Sequence, residues 1–525
     1  MTAIEHLSSV RAVQAWLQQH ARAGAVLQSD SRKVQPGDVF LAWAGHAHDG
    51  RMHIPAALQA GAAAVVVDAL PSESADFYVD GAVPLASFNG LYRASGAIAS
   101  AWYGMPSQLM DVVAITGTNG KTTCAWWLSH ALSEACKLCG YVGTLGIGVG
   151  DDVQLSGLTS PEALQLQHAL FEMHENGVQA CAVEASSIGL DQGRLNGLSI
   201  NVAVLTNFTQ DHLDYHHSMQ AYGQAKRLLF AWPGLRAAVI NVQDAFGQVL
   251  AQELSDEGAL DLWSVAVHAE GLSETPARLQ ASSVLFAPGL AHFVVTENDP
   301  AGRQRLDQVE VQAPIVGLYN VQNALAVLAA LRALGYPLVD AAALLAQVPA
   351  VDGRMQMVQE QGKPLVVVDY AHTADALQSA LTALRPVAQQ RGGQLTVVFG
   401  CGGDRDSSKR PLMAMAAARH ADTLWITSDN PRSENPLNII EQVSVGLTPA
   451  QRARAHITVD RAQAIQDAVR DASAQDVILI AGKGHEAYQE IKGVKHPFSD
   501  LQQAQDALAG WHAIQAVSPQ KGVSA

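Results

Sequence analysis

Cysteine is scarce in this chain: five in 525 residues. Only Cys136 and Cys139 lie close together, with no second pair and no neighbouring histidine. That excludes a disulfide framework and argues against a thiolate metal site, so reduced thiols are expected. Charge is also sparse, at 16%, and lopsided: 33 Lys and Arg against 49 Asp and Glu give a formal net charge of −16. Such a balance argues against general binding to nucleic acid or anionic membranes. A local cluster of Lys, Arg and metal could still hold an anionic ligand. No apolar run reaches the length of a membrane span. Met1 to Val10 lacks a basic segment followed by an apolar core, so no secretory signal is expected. The expectation is a soluble, cytoplasmic protein without membrane insertion. Hydrophobic residues, by contrast, make up 48% of the chain, which suits well-packed globular cores. At this length one core is not enough, and about three domains are expected.

The most informative stretch is Ala114-Ile115-Thr116-Gly117-Thr118-Asn119-Gly120-Lys121-Thr122-Thr123. An apolar run from Asp111 leads in, and an apolar helical stretch from Cys124 to Leu132 follows. The order strand, glycine turn, helix is that of a phosphate loop. Glycines let backbone N–H groups approach a polyphosphate, and the helix N-terminus adds its dipole. Lys121 supplies a point charge, and Thr122 or Thr123 a hydroxyl for Mg2+. Only Thr118 and Asn119 separate Gly117 from Gly120-Lys121. The common P-loop has four residues there. This compact form resembles the Mur ligase family, ATP-dependent amide-forming enzymes of cell-wall precursor synthesis, to which folylpolyglutamate synthase is related. The resemblance makes Gly117, Thr118, Asn119, Gly120, Lys121, Thr122 and Thr123 ATP-binding.

Residues 1–108 read as a small α/β unit with two polar loops, for which structural turns would serve as well. The wording Asp30-Ser31-Arg32-Lys33-Val34-Gln35-Pro36-Gly37-Asp38 is similar to the family's uridine-nucleotide domain. By that resemblance Ser29, Ser31 and the loop His46-Ala47-His48 hold the UDP end of a substrate.

Residues 109–348 carry the expected ATP and metal chemistry. Thr159-Ser160-Pro161 opens a helix, with Thr159 or Ser160 expected as its cap. The strand Ala180 to Val183 ends in Glu184, and a carboxylate beside a phosphate loop is a candidate Mg2+ ligand. Another strand, Val202 to Asn207, runs into Phe208-Thr209-Gln210-Asp211-His212-Leu213-Asp214. The family resemblance makes Thr159, Ser160, Ser186, Gln192 and Arg194 sugar-nucleotide contacts and His212 a metal ligand. It also makes Lys226 a carbamylated lysine, where an exposed helical lysine is the plain alternative. Members often have His where this chain has Ile188. Asn320 and Asn323 share one helix face, and the family places such a pair near adenine. The implied metal set is Thr123, Glu184, His212 and carbamylated Lys226, around two Mg2+ ions.

Residues 349–525 contain four apolar strands. They close in Asp369-Tyr370-Ala371-His372, in Gly402-Gly403-Asp404-Arg405, in Asp429-Asn430-Pro431-Arg432, and in Gly482-Lys483-Gly484-His485-Glu486. Strands ending in glycine and charge are what a parallel sheet with a ligand crevice at its carboxyl edge requires. In the family Arg354 and Asp369 reach ATP from here, so the site would close between domains. Asp429-Asn430-Pro431-Arg432 resembles the signature of the branch that adds meso-diaminopimelate. Its second amino-acid head has a carboxylate for a bidentate fork from Arg432, with Arg405. Glu486 and the Gly482 carbonyl would take the ammonium. From Ser518 on, composition suggests a loose tail.

The expected fold class is therefore α/β in three domains: a small N-terminal substrate-binding domain, a central P-loop-type ATPase domain with a mostly parallel sheet, and a C-terminal Rossmann-like domain. The implied reaction consumes ATP, with Mg2+, to join meso-diaminopimelate to UDP-MurNAc-L-Ala-D-Glu through an acyl phosphate. Small molecules are the expected partners, without nucleic acid, and a monomer is expected. A lysine-adding relative, a folate polyglutamylating ligase and a catalytically silent ATP-binding regulator stay open as alternatives.

Overall fold

The fold is seen in a computed structural model that describes residues 4–45, 48–69, 83–269, 275–287 and 289–512. Three larger sheets follow one another along the chain. The first has five parallel strands, in the order Glu5–Leu7, Leu85–Phe88, Ala64–Val67, Val39–Ala42, Leu27–Gln28. Its helices Val10–His20 and Leu91–Trp102 pack together on the face formed by Leu41 and Val66.

The second sheet has eleven strands and positions the candidate phosphate loop. Seven are parallel, in the order Leu279–Ala287, Asp261–Val267, Ala237–Asn241, Val202–Leu205, Asp111–Thr116, Ala180–Glu184, Cys139–Gly143. These are the apolar runs of the sequence, and strands covered on both faces need no alternation. Val113 and Ile115 pack on one face against the helices Lys121–Glu134 and Leu318–Ala333. Val112 and Ala114 pack on the other, with Leu166 and Leu170. The helix Leu318–Ala333 is buried around most of its circumference, consistent with the apolar run from Ala324 to Leu331. The strand Asp111–Thr116 lies at a switch point, with later strands added on both sides. That is where open α/β sheets form a ligand crevice.

An antiparallel ribbon, Leu279–Ala287, Leu290–Asn298 and Arg305–Ala313, extends this sheet at one edge. The sequence reading did not resolve it. Its signal is the alternation Ala291, Phe293, Val295, all buried, while His292 is exposed.

The third sheet has six strands: Gln356–Val358, Leu365–Asp369, Val477–Ala481, Leu395–Phe399, Thr423–Ile426, His456–Ile457. All but the first pair are parallel. The four motif-bearing loops therefore leave the same edge, as expected. No helix among the described residues is long and apolar enough to cross a membrane.

One local expectation fails. The helix after Pro161 begins at Ala163, with Glu162 in its cap position, so neither Thr159 nor Ser160 caps it. Glu162 is still extended, at φ −60 and ψ 148. The Ser160 hydroxyl instead donates to the Glu184 carbonyl at 2.7 Å.

Candidate active site

Gly117 and Gly120 show why this loop needs glycine. Both have positive φ, at 148 and 86. A Cβ on Gly117 would lie 1.9 Å from Thr206 Oγ1, and one on Gly120 would lie 2.3 Å from Asn323 Oδ1. The loop is thus clamped between the ends of neighbouring elements. The Thr118 hydroxyl donates to the Thr209 carbonyl at 3.0 Å, and the Asn119 N–H donates to Asn207 Oδ1 at 2.8 Å. Asn323 donates to Asn320 at 3.2 Å, so the paired asparagines buttress the loop from the buried helix.

Lys121 Nζ donates to the Gly117 and Thr118 carbonyls, at 2.9 and 2.8 Å. Lys226, the expected carbamylation site, is 1% exposed and donates to the same Gly117 carbonyl at 2.8 Å. That removes the exposed-helix alternative. Burial, reinforced by the Lys121 charge, holds the Lys226 amine well below the usual lysine range. Its free-base form is the one that can attack CO2.

Glu184 is fully buried. Oε1 accepts from Tyr141 Oη at 2.6 Å and the Thr144 N–H at 2.8 Å; Oε2 accepts from the Thr122 and Thr144 hydroxyls at 3.0 and 3.1 Å. Of the two loop threonines, the structure therefore brings Thr122, not the expected Thr123, to the carboxylate. Thr123 is buried in the same helix turn with no side-chain hydrogen bond among the described residues. His212 sits in the left-handed region at φ 55, where strain in a non-glycine residue often marks a functional position. Burial lowers its pKa to about 4, which keeps the imidazole in its metal-ligating neutral form.

Asp211, which the sequence reading passed over for its neighbour, joins two domains. It is 5% exposed, and its carboxylate faces His372 Nε2 at 3.3 Å, from a loop of the third sheet, and Lys409 Nζ at 3.4 Å, from the first turn of the helix Lys409–His420. Burial alone would push this carboxyl up, but the His372 hydrogen bond and the charges of His372 and Lys409 hold it well below the usual range. Arg354 reaches across the same boundary, donating to the Thr122 hydroxyl at 3.1 Å while its guanidinium lies 4.3 Å from the Tyr370 ring centroid. Asp369 accepts from the Met355 and Ala371 N–H groups, at 2.7 and 2.9 Å. It thereby fixes the turn that carries Arg354.

Among the expected sugar-nucleotide residues, Arg194 donates to Gln192 Oε1 at 2.6 Å and to the Ser160 carbonyl at 3.1 Å. Ser186 caps the short helix Ser187–Asp191 and lies 3.0 Å from Ser160 Oγ. Thr159 pairs with Thr144 at 3.1 Å. Gln192 and Asp191 line a cleft of about 220 Å3 shared with Ala44, Gly45, Tyr92 and Arg93 of the first domain. Trp43 and Tyr92, with rings 5.8 Å apart, line an adjoining recess with Gln192 and Arg194, and no motif announces them. Ser29, Ser31 and His48 do not line this cleft. His46 and Ala47 lie outside the described residues. Beside Ile188, His216 Nε2 lies 3.0 Å from Ser187 Oγ, so an imidazole does reach this turn from another segment.

At the third sheet's edge, Asn430 Nδ2 donates to Glu486 Oε2 at 2.8 Å, and Lys483 Nζ donates to the same oxygen at 2.7 Å. Arg432 Nη1 donates to the Gly403 carbonyl at 2.6 Å. Arg405 reaches Asp214 of the central domain at 3.4 Å. Pro431 continues this loop, accepting from the Glu434 N–H, and a Cβ on Gly482 would meet the Asp429 carboxylate at 2.5 Å. All seven expected amino-acid-site residues thus lie on loops from one sheet edge.

A compact phosphate loop, a buried carboxylate beside it, and cations reaching in from a second Rossmann-like sheet define an ATP-dependent ligase built from three α/β domains. The chain belongs to the Mur ligase family. Its residues 115–331 match the Mur ligase middle domain, 353–484 the glutamate ligase domain and 25–85 the family's catalytic domain. It is 49% identical, over 97% of its length and 99% of the relative's, to the UDP-N-acetylmuramoyl-L-alanyl-D-glutamate–2,6-diaminopimelate ligase of Acidovorax sp. (strain JS42). With the enzyme of that name from Ralstonia nicotianae it shares 45% identity, over 94% of this chain and 95% of the relative. A solved structure of a ligase with the same name aligns at a TM-score of 0.62 and 33% identity, covering 92% of this chain and 94% of that one.

Proposed function

We propose that this enzyme joins an amine of meso-2,6-diaminopimelate to the free D-glutamyl carboxylate of UDP-N-acetylmuramoyl-L-alanyl-D-glutamate, forming ADP and phosphate in peptidoglycan precursor synthesis. The observation that carries the reading is the convergence of Arg432, Arg405, Asn430 and Glu486 on loops at one sheet edge, from which Arg405 reaches Asp214 of the central domain. A second amino-acid head at the far end of the incoming amine matches that mixture of cations and carboxylate. L-lysine offers no far carboxylate and would leave the free Nη2 donor of a half-buried Arg432 unmatched, a mismatch that costs binding.

The N-terminal cleft and the Gln192–Arg194 turn hold the nucleotide-sugar, with the D-glutamyl carboxylate directed toward the phosphate loop. Lys121 and Arg354 face the transferring phosphoryl group of ATP and offset its charge. The carboxylate oxygen attacks the γ-phosphorus and ADP leaves. The amine then attacks the acyl phosphate, and phosphate departs from the tetrahedral intermediate. Bonding of Asp211 to His372 and Lys409 keeps the two half-sites together during both steps.

The donor set fits Mg2+ in its chemistry. Glu184 is a buried carboxylate, His212 is neutral, Thr122 offers a hydroxyl, and the Lys226 amine is held in its CO2-reactive form. Among the described residues no three His, Cys, Asp or Glu side chains group closely enough to hold a metal alone. Threonine, carbamate and phosphate oxygens would complete any such site. Bound Mg2+ supplies charge neutralisation at the phosphates. The three sheets support a division at residues 108 and 348. Dependence on ATP supports a cytoplasmic location.

The test is ATP-dependent phosphate release with the UDP-muramyl dipeptide and either meso-diaminopimelate or L-lysine. Release with diaminopimelate alone is expected. Release with lysine alone would overturn the specificity, and no release with either would overturn the reaction.

A further inference from the structure

The sequence motifs end at Glu486, but the chain continues into a hairpin, Tyr488–Ile491 paired with Val494–Pro497, that is joined to no other sheet. It is bound instead to the loop carrying Arg432. The Arg432 N–H donates to the Glu490 carbonyl at 3.0 Å, and the Lys492 N–H returns to the Arg432 carbonyl at 2.7 Å. The Glu490 N–H donates to Asn430 Oδ1 at 2.9 Å, and Gln489 Nε2 donates to the Asp429 carbonyl at 2.6 Å. Arg432 itself is in the left-handed region, at φ 49, a conformation costly to a side chain unless its surroundings enforce it.

The hairpin also supplies a charge. Glu490 Oε2 lies 3.5 Å from Arg432 Nε. Nη1 is held by the Gly403 carbonyl, so two of the guanidinium's three nitrogens are occupied. Nη2 is the one without a partner among the described residues. Lys495, the cross-strand partner of Glu490, is turned over the Tyr488 ring at 4.2 Å.

We propose that Glu490 is a positioning residue for amino-acid selection: it orients the Arg432 guanidinium so that its remaining donors face the far carboxylate of the incoming amino acid. A planar fork recognises a carboxylate only when its plane is fixed, and a partner on Nε fixes it. Glu490 acts through Arg432 and does not touch the substrate. The inference rests on the function proposed above.

The test compares wild type, Glu490→Gln, Arg432→Ala and the double variant by steady-state phosphate release. Glu490→Gln keeps the size and the backbone bonds and removes the charge. It is expected to raise KM for diaminopimelate about fivefold, as loss of a half-exposed ion pair implies, with kcat and the other two KM values changed by less than about twofold. In the Arg432→Ala background the same change is expected to leave kcat/KM unaltered. An unchanged KM in Glu490→Gln overturns the proposal. So does an equal loss in both backgrounds, which would mean that Glu490 acts independently of Arg432. Wild type that uses lysine and not diaminopimelate would refute the function itself, and this inference with it; normal wild-type turnover beside an inert Glu490→Gln refutes only the inference.

Discussion

Asp211 is the point at which domain closure is most exposed to a single substitution. Asp211→Asn keeps the size and one hydrogen-bond acceptor but removes the charge shared by His372 and Lys409. Lys409 is 12% exposed and His372 34%, so the lysine contact is less screened and dominates. Hydrogen bonds to charged groups contribute about 1.5–3 kcal/mol, and contacts of 3.3–3.4 Å belong at the low end. Together they stabilise the closed arrangement by about 2–3 kcal/mol, a factor of roughly 30 to 150 in the ratio of closed to open. Because Asp211 adjoins His212, a single variant would mix domain closure with effects at the phosphate site. The assay is therefore a double-mutant cycle on kcat/KM with Asp211→Asn and Lys409→Met. A coupling of about 1.5 kcal/mol is expected, with small-angle scattering showing a more extended Asp211→Asn chain. Additive losses, and an unchanged scattering profile, would refute the closure argument.

Arg432→Ala is expected to lower kcat/KM for diaminopimelate by about 10- to 100-fold, the loss of a bidentate charged contact, while ATP binding measured by calorimetry stays the same. Lys226→Ala should abolish turnover, and added short carboxylates should restore part of it. Carbon-13 bicarbonate should give a carbamate resonance in wild type that the variant lacks; full activity in the variant would remove the carbamate. His485 is half-buried against Tyr370, with desolvation and the Arg354 and Lys483 charges lowering its pKa from 6.5 to about 3. The unfolded chain then binds a proton that the folded one refuses, so this contribution is present above pH 6.5 and is lost as pH falls toward 3. Wild type should lose more melting temperature than His485→Gln between about pH 7 and about pH 5, and parallel losses would contradict the assignment.

What could be read in advance was whatever local chemistry dictates. Gly117 and Gly120 announce a loop because no side chain fits there, and apolar runs such as Val202–Leu205 announce strands covered on both faces. Glu184, Lys121 and the loops at 402–405, 429–432 and 482–486 follow from where those strands end. The rest depended on partners distant in sequence. Lys226 is unremarkable in a helix until the Gly117 carbonyl is seen beside it. Which of Thr122 and Thr123 bonds Glu184 is a question of helical phase, and the structure shows that it is Thr122. Asp211 gains its role from residues 161 and 198 positions away. The hairpin behind Arg432 carries no glycine-rich or charged signature that distinguishes it from surface.

In the proposed reaction one carboxylate oxygen passes from the muramyl dipeptide to phosphate while diaminopimelate takes its place. That transfer is tested most directly by labelling the D-glutamyl carboxylate with heavy oxygen and analysing both products by mass spectrometry. One labelled oxygen is expected in each phosphate released, together with a product heavier by one diaminopimelate residue. Unlabelled phosphate, or labelled phosphate with no diaminopimelate in the product, would contradict it.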